Sequence, residues 1–179
     1  AEMMVDAKTR TAFFPAVPTV RLNRDVTIGT LPGPAGGVAL FDIDGDGDLD
    51  VLACSAKGVR AFLQEGRMKF SDATAKLGLA GVSGVSCALA DVNGDGQSDL
   101  LIDTQLFLKG KEGFSRPRAV GASAGAPLKV SSFVELNGDG HADILLSHAG
   151  GGLTALLNDG HGRFADATEK LGLADKECG

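Results

Sequence analysis

Three nine-residue stretches constrain this chain more than anything else in it: Asp42-Ile43-Asp44-Gly45-Asp46-Gly47-Asp48-Leu49-Asp50, Asp91-Val92-Asn93-Gly94-Asp95-Gly96-Gln97-Ser98-Asp99 and Glu135-Leu136-Asn137-Gly138-Asp139-Gly140-His141-Ala142-Asp143. The five aspartates in the nine positions of the first repel one another, so a folded chain keeps them together around a hard cation, and calcium is the natural candidate for an all-oxygen donor set. In the first stretch the carboxylates of Asp42, Asp44, Asp46 and Asp50, at positions one, three, five and nine, can converge on one centre. The two glycines let the backbone curl and present the Asp48 carbonyl. An EF-hand would need a bidentate Glu at position twelve, where counting from Asp42 gives Ala53, so the EF-hand reading is set aside. The stretches start at residues 42, 91 and 135, spacings of 49 and 44 residues that signal a propeller or another repeat array.

Between the loops the chain reads as short strands. With 179 residues of which 44% are hydrophobic it can bury a core, while 26 glycines and no Trp or Tyr suit tight turns more than long helices. The expected class is all-β. Val38 to Ile43, Val51 to Ala56, Val59 to Gln64 and Lys69 to Ala73 form a four-stranded meander, the content of one propeller blade. A second unit gives Val85 to Ala90, Leu100 to Thr104, Leu106 to Lys109 and a last strand from Phe114, where Pro117 fits only an outer edge. A third gives Val130 to Val134, Ile144 to Ser147, Leu153 to Leu157 and Arg163 to Ala167. The expected division is 1–37, an N-terminal segment in which Thr19 to Ile28 forms the closing strand of a preceding blade; 38–80, a first blade; 81–127, a second blade with the connector Gly121 to Pro127; and 128–179, a third blade and tail. About three four-stranded antiparallel blades plus one extra strand make a partial or oligomer-completed propeller, because propellers typically close with four to eight blades. Either the chain is a fragment, or another subunit covers its terminal blade faces.

A net charge of −6 argues against nucleic-acid binding, which needs basic patches against phosphate. Three bound Ca2+ would bring it to zero, so the acidity reads as metal-site charge. Cys54, Cys87 and Cys178 form no C-x-x-C pair; the first two lie in apolar strand-like stretches and read as buried thiols, with a disulfide or an intermolecular bond as the alternative. No stretch approaches a membrane span, and Ala1-Glu2-Met3-Met4 is no signal peptide, although the numbering could begin after a cleaved one. His141, His148 and His161 lack zinc-ligand spacing. Lys109, Lys111, Arg116 and Arg118, interrupted by Glu112, read as a solvated face, with an acidic partner or glycan as the alternative.

The strongest internal identity follows the fourth strand. Phe70-Ser71-Asp72-Ala73-Thr74-Ala75-Lys76-Leu77-Gly78-Leu79-Ala80 aligns with Phe164-Ala165-Asp166-Ala167-Thr168-Glu169-Lys170-Leu171-Gly172-Leu173-Ala174, differing at two positions. Asp25-Val26-Thr27 echoes it. Such a segment packs its Phe between blades, caps a turn with Asp or Thr, and ends on a glycine of positive φ. The F-x-D-x-T strand, the G-L ending and the D-x-[DN]-G-D-G-x-x-D loop together resemble the FG-GAP/VCBS repeat family, whose blades also build the propellers of integrin α-subunits. The resemblance covers about Asp25 to Ala174.

That resemblance implies calcium in the loop joining the first two strands of each blade, up to three ions, in an extracellular, cell-surface or periplasmic setting. Carried over residue by residue, the ligands are Asp42, Asp44, Asp46, Asp48 (carbonyl) and Asp50; Asp91, Asn93, Asp95, Gln97 (carbonyl) and Asp99; and Glu135, Asn137, Asp139, His141 (carbonyl) and Asp143. Glu135 departs from the pattern by one methylene and would coordinate from a shifted backbone or through water. The first loop, richest in carboxylates, should bind tightest. Such calcium is expected to be structural, clamping a hairpin, since no base or nucleophile accompanies it and no enzyme is expected. The expected function is a secreted or surface module for protein-protein interaction, adhesion or self-assembly. Its partners would be other subunits or further blades, in a homo-oligomer or filament. The alternatives are a carbohydrate-binding, lectin-like propeller, against which the lack of Trp and Tyr weighs, and an accessory propeller of a secreted enzyme.

Overall fold

The computed structural model describes residues 4–5, 12–13, 19–22, 26–66, 69–121 and 127–174. Asp25, Cys178 and residues 122–126 of the expected connector lie outside the described residues. The described residues contain strands and turns but no helix, hence none long and apolar enough to cross a membrane. The chain divides into two compact units, residues 1–85 and 86–179.

In the first unit, β1 (Met4–Val5) pairs with β2 (Ala12–Phe13), and β3 (Thr19–Leu22) with β4 (Val26–Thr30), both antiparallel. Where one strand from Thr19 to Ile28 was expected, there are two, because the chain turns back between Leu22 and Val26, which face each other in the register. β5 (Ala35–Phe41), β6 (Asp50–Ser55), β7 (Arg60–Gln64) and β8 (Phe70–Asp72) follow as a four-stranded antiparallel meander in sequence order. The apolar run Val51-Leu52-Ala53-Cys54 is buried throughout, as expected of a strand with a neighbour on each side and covered faces. Each large side chain buried this way contributes about 1.5–3 kcal/mol relative to exposure. Ile28 of β4 joins Val51 and Phe62 in one cluster, with Val38 and Phe70 packed against it. Gly29 makes room for this contact, since a Cβ there would lie 2.3 Å from the Phe62 ring.

In the second unit, β9 (Cys87–Ala90), β10 (Asp99–Ile102) and β11 (Gln105–Phe107) form three consecutive strands of a sheet, with β9 at one edge. A small hairpin of β12 (Lys109–Gly110) and β13 (Gly113–Phe114) then leaves that sheet, and β14 (Arg118–Ala119) completes it on the outer edge beside β11. The last strand of this blade therefore does not start at Phe114. Pro117, without an N–H, sits just before the edge strand, where no ladder bond is lost. β10 ends at Ile102 because Asp103 turns the chain with φ 53°, its Oδ1 accepting from Ser86 N at 2.9 Å. The third sheet, β15 (Leu128–Val134), β16 (Asp143–His148), β17 (Leu153–Asn158) and β18 (Phe164–Asp166), is again a meander. Val92, Leu101, Leu106 and Val120 pack with Ile144, Leu146 and Leu156 into one core, on which Phe133 and Phe164 rest.

The two F-x-D-x-T segments have the same hydrogen bonds. Thr74 N donates to Asp72 Oδ1 and Thr168 N to Asp166 Oδ1, each at 2.9 Å. The threonine hydroxyls accept from Ala61 N and Ala155 N of the third strand, each at 3.0 Å. A tight turn follows, with Leu77 N to Ala73 O and Leu171 N to Ala167 O both 2.9 Å, and ends on Gly78 and Gly172 at φ 78° and 69°.

Candidate metal centre

Each acidic stretch is the loop between the first and second strands of a four-stranded sheet: β5 to β6, β9 to β10 and β15 to β16. Its glycines hold the left-handed conformation that makes the curl, with φ between 76° and 90° at Gly45, Gly47, Gly94, Gly96, Gly138 and Gly140. That curl turns backbone N–H groups onto the side chain at position one. Asp42 Oδ1 accepts from Gly45 N at 2.6 Å and Oδ2 from Gly47 N at 2.9 Å; Asp91 repeats this with Gly94 N at 2.7 Å and Gly96 N at 2.8 Å. In the third loop Glu135 Oε1 accepts from Asn137 N at 2.9 Å and Gly138 N at 2.5 Å. Burial pushes the Asp91 carboxyl up, but the N–H groups of Gly96, Gly94, Asn93 and Asp95 outweigh it and hold it below the usual carboxylate value.

Position nine anchors the loop. Asp50, Asp99 and Asp143 are 0% exposed, an environment a carboxylate tolerates only when its oxygens are satisfied. One oxygen accepts from the N–H of position two (Ile43 at 2.7 Å, Val92 at 3.1 Å, Leu136 at 2.9 Å). The other accepts from the third strand in the first and third sheets, Gln64 N and Asn158 N both at 2.8 Å, and in the second sheet from Lys109 N of the side hairpin strand β12 at 2.7 Å. Burial pushes Asp50 and Asp99 above the ordinary carboxylate value; their backbone partners pull the other way, and the facing Asp44 and Asp46, or Asp95 and Asp91, push them up further.

In the first loop, carboxylate oxygens of Asp42, Asp44 and Asp50 lie within 4.8 Å of one another, the one such trio of His, Cys, Asp or Glu ligand atoms among the described residues. Ligand oxygens at 2.3–2.6 Å from a shared Ca2+ can be at most about 5 Å apart, so this trio has the spacing calcium takes. Asp46 is not in the trio; its Oδ1 accepts from Asp48 N at 2.8 Å. In the other loops Asn93 and Asn137 turn their amide N–H groups to Asp95 Oδ2 (3.1 Å) and Asp139 Oδ2 (2.8 Å). Position seven is fixed through its N–H, Gln97 to Asp95 Oδ1 and His141 to Asp139 Oδ1, both at 2.8 Å. The donors of all three loops are oxygens, and the residues present fit calcium. The roles of Gln64, Lys109 and Asn158 were missed by sequence reasoning, because a backbone N–H leaves no side-chain signature.

Of the remaining candidates, the His141 ring lies against the turn at Gly160, where a Cβ would meet Nε2 at 2.7 Å. His148 Nε2 is 2.9 Å from Thr154 Oγ1. In the basic cluster Lys111, Arg116 and Arg118 are exposed and Lys109 half-buried; the Arg118 guanidinium also donates to the Gly162 carbonyl, and Lys109 Nζ stands 5.5 Å over the Phe114 ring.

Residues 23–102 match the FG-GAP-like repeat family. No curated protein sequence matches the chain. Among solved structures, the fold is similar to that of an Agrocybe aegerita lectin, studied for specific recognition of non-reducing terminal N-acetylglucosamine, with a TM-score of 0.51 at 20% identity over 89% of this chain and 43% of the lectin. The V. cholerae biofilm matrix protein Bap1 matches with a TM-score of 0.45 at 24% identity over 72% of this chain and 19% of its own. The chain thus spans less than half the length of these proteins. The repeat match, the lectin fold and the four-stranded sheets make it a propeller-type module.

Proposed function

We propose that this chain, with its FG-GAP-like repeat over residues 23–102, is a non-enzymatic calcium-binding module of the cell exterior or periplasm. It would act in protein-protein interaction, adhesion or self-assembly. The observation that carries the calcium reading is the first loop, where Asp42, Asp44 and Asp50 bring three carboxylate oxygens within 4.8 Å while Asp50 is buried. Up to three ions would be held, by Asp42, Asp44, Asp46, Asp50 and the Asp48 carbonyl and by their counterparts from Asp91 to Asp99 and Glu135 to Asp143. Calcium supplies charge neutralisation there, and the protein side of the arrangement is a hairpin clamp tied to the third strand through position nine. Calorimetric titration of calcium into the EDTA-stripped chain tests the reading. We expect binding at ~10⁻⁴ to 10⁻³ M, as in extracellular modules, with the tightest site lost in Asp42→Ala and only weakened in Asp44→Asn, which gives the first loop the Asn of the other two; the absence of binding heat would overturn it.

A carbohydrate-binding function is the second reading, favoured by the lectin fold and opposed by the lack of Trp and Tyr as stacking platforms. Binding to glycans ending in N-acetylglucosamine would favour it over the first.

A further inference from the structure

Asn158 is a buried polar residue, 4% exposed, that the clamp described above does not account for beyond its backbone N–H. Its side chain makes the four hydrogen bonds a primary amide can make. Nδ2 donates to Val92 O at 2.9 Å and to Ala142 O at 3.0 Å, while Oδ1 accepts from Gly160 N at 3.2 Å and Gly162 N at 3.0 Å. Val92 is position two of the second loop and Ala142 position eight of the third. Val92 N is bound to the position-nine Asp99, and Asn158 N to the position-nine Asp143. One amide therefore ties the backbones of two acidic loops: its partner Val92 also holds Asp99, and Asn158 itself holds Asp143. The turn bearing it is seated firmly: a Cβ on Gly162 would stand 2.8 Å from the Arg118 guanidinium and 3.1 Å from Val92 Cγ2.

We infer that Asn158 is a positioning residue that couples the second and third loops, so that calcium in one raises the affinity of the other. The inference rests on the calcium reading. Ordering one loop fixes the Val92 or Ala142 carbonyl against the shared amide, and the second ion then meets a backbone already held in place. The chemistry is specific to an amide of this length. Asn158→Asp keeps the acceptor for Gly160 and Gly162 but sets a carboxylate oxygen against two carbonyls.

The test is a calcium titration followed by NMR, reading the amide signals of Gly94 and Gly96 for the second loop, Gly138 and Gly140 for the third, and Gly45 and Gly47 for the first. In the otherwise native chain, silencing the second loop with Asp95→Asn is expected to weaken calcium binding at the third about tenfold, within the usual range for coupled sites, and Asp139→Asn to weaken the second by the same factor. In Asn158→Asp the factor is expected to fall to one while the second and third loops each still bind calcium and the amide signals of Leu101 and Ile144 in the same unit keep their native positions, which a loss of that unit's structure would not allow. If the native chain binds calcium at both loops with a factor of one, the coupling is overturned and the calcium reading stands; this arm does not depend on whether the Asn158 variant folds. If no amide responds to calcium, both are overturned.

Discussion

Thr74 and Thr168 show how much one hydroxyl can carry in a short-stranded fold. Each accepts from a buried backbone N–H, of Ala61 or Ala155, and hydrogen-bonds to the preceding aspartate. Replacing either by the isosteric Val leaves that N–H without an acceptor, and a loss of roughly 1–3 kcal/mol in urea unfolding at pH 7 is expected. The loss should carry a pH signature. For Asp72 burial pushes up, but the Thr74 hydroxyl and N–H, with Arg60, hold the carboxyl below 3.8; for Asp166 the Thr168 hydroxyl and N–H do the same. A lowered carboxyl contributes stability that is present above 3.8 and lost as pH falls through its folded value. The gap between wild type and Thr→Val should therefore narrow in acid, and a gap independent of pH would contradict this account. The motif was legible in the sequence, because eleven residues recur with two changes and an Asx cap needs its side chain at a fixed offset. The partners Ala61 and Ala155 were not, since they contribute only backbone.

At the scale of elements, legibility followed strand length and burial. β6 and β16 announce themselves as apolar runs after an acidic loop, and the loops themselves are set by repetition. The two-residue strands β12, β13 and β14 have no period to read; their positions are decided by partners across the sheet, which is why Phe114 ended in a side hairpin and Arg118 in the blade. β4 was hidden in what reads as one strand because nothing in Arg21 to Val26 marks the reversal as strongly as a glycine would. Close approach is equally silent: Gly36, beside an irregular register in β5, has the Val85 carbonyl oxygen 2.1 Å from where a Cβ would stand. Gly36→Ala must move backbone, and a cost of about 1–3 kcal/mol is expected. Gly33→Ala, facing the flexible Lys57 side chain at 3.1 Å, should stay within about 0.5 kcal/mol. Equal melting temperatures for the two variants would refute the distinction.

For the molecule as a whole, the proposed calcium binding implies that the buried carboxylates make stability depend jointly on pH and on the metal. Burial first, then the neighbouring aspartates, raises Asp50 and Asp99 above 3.8. A raised carboxyl contributes stability that is fully present below 3.8 and lost as pH rises through its folded value. The carboxyls that are lowered, such as Asp91 and Asp139, act below 3.8 and leave this window clear. In EDTA, calorimetry from about pH 4 to pH 7 should show these two groups costing stability as they ionise, and saturating calcium should cancel the loss. The calcium-induced rise in Tm is thus expected to be larger at pH 7 than at pH 4, and a rise that does not grow with pH would speak against metal at these sites. The net charge of −6 points the same way. Asn158, finally, limits how such repeats can be shuffled. At the matching place in the other two repeats stand Gln64, a methylene longer, and Lys109, which has no acceptor for N–H groups such as those of Gly160 and Gly162, so neither can reproduce the four bonds of Asn158. Alike as their loops are, the repeats are not interchangeable beads: the third is written to follow the second, and a recombined chain that put another repeat in its place would lose the register between neighbours while keeping every acidic loop intact.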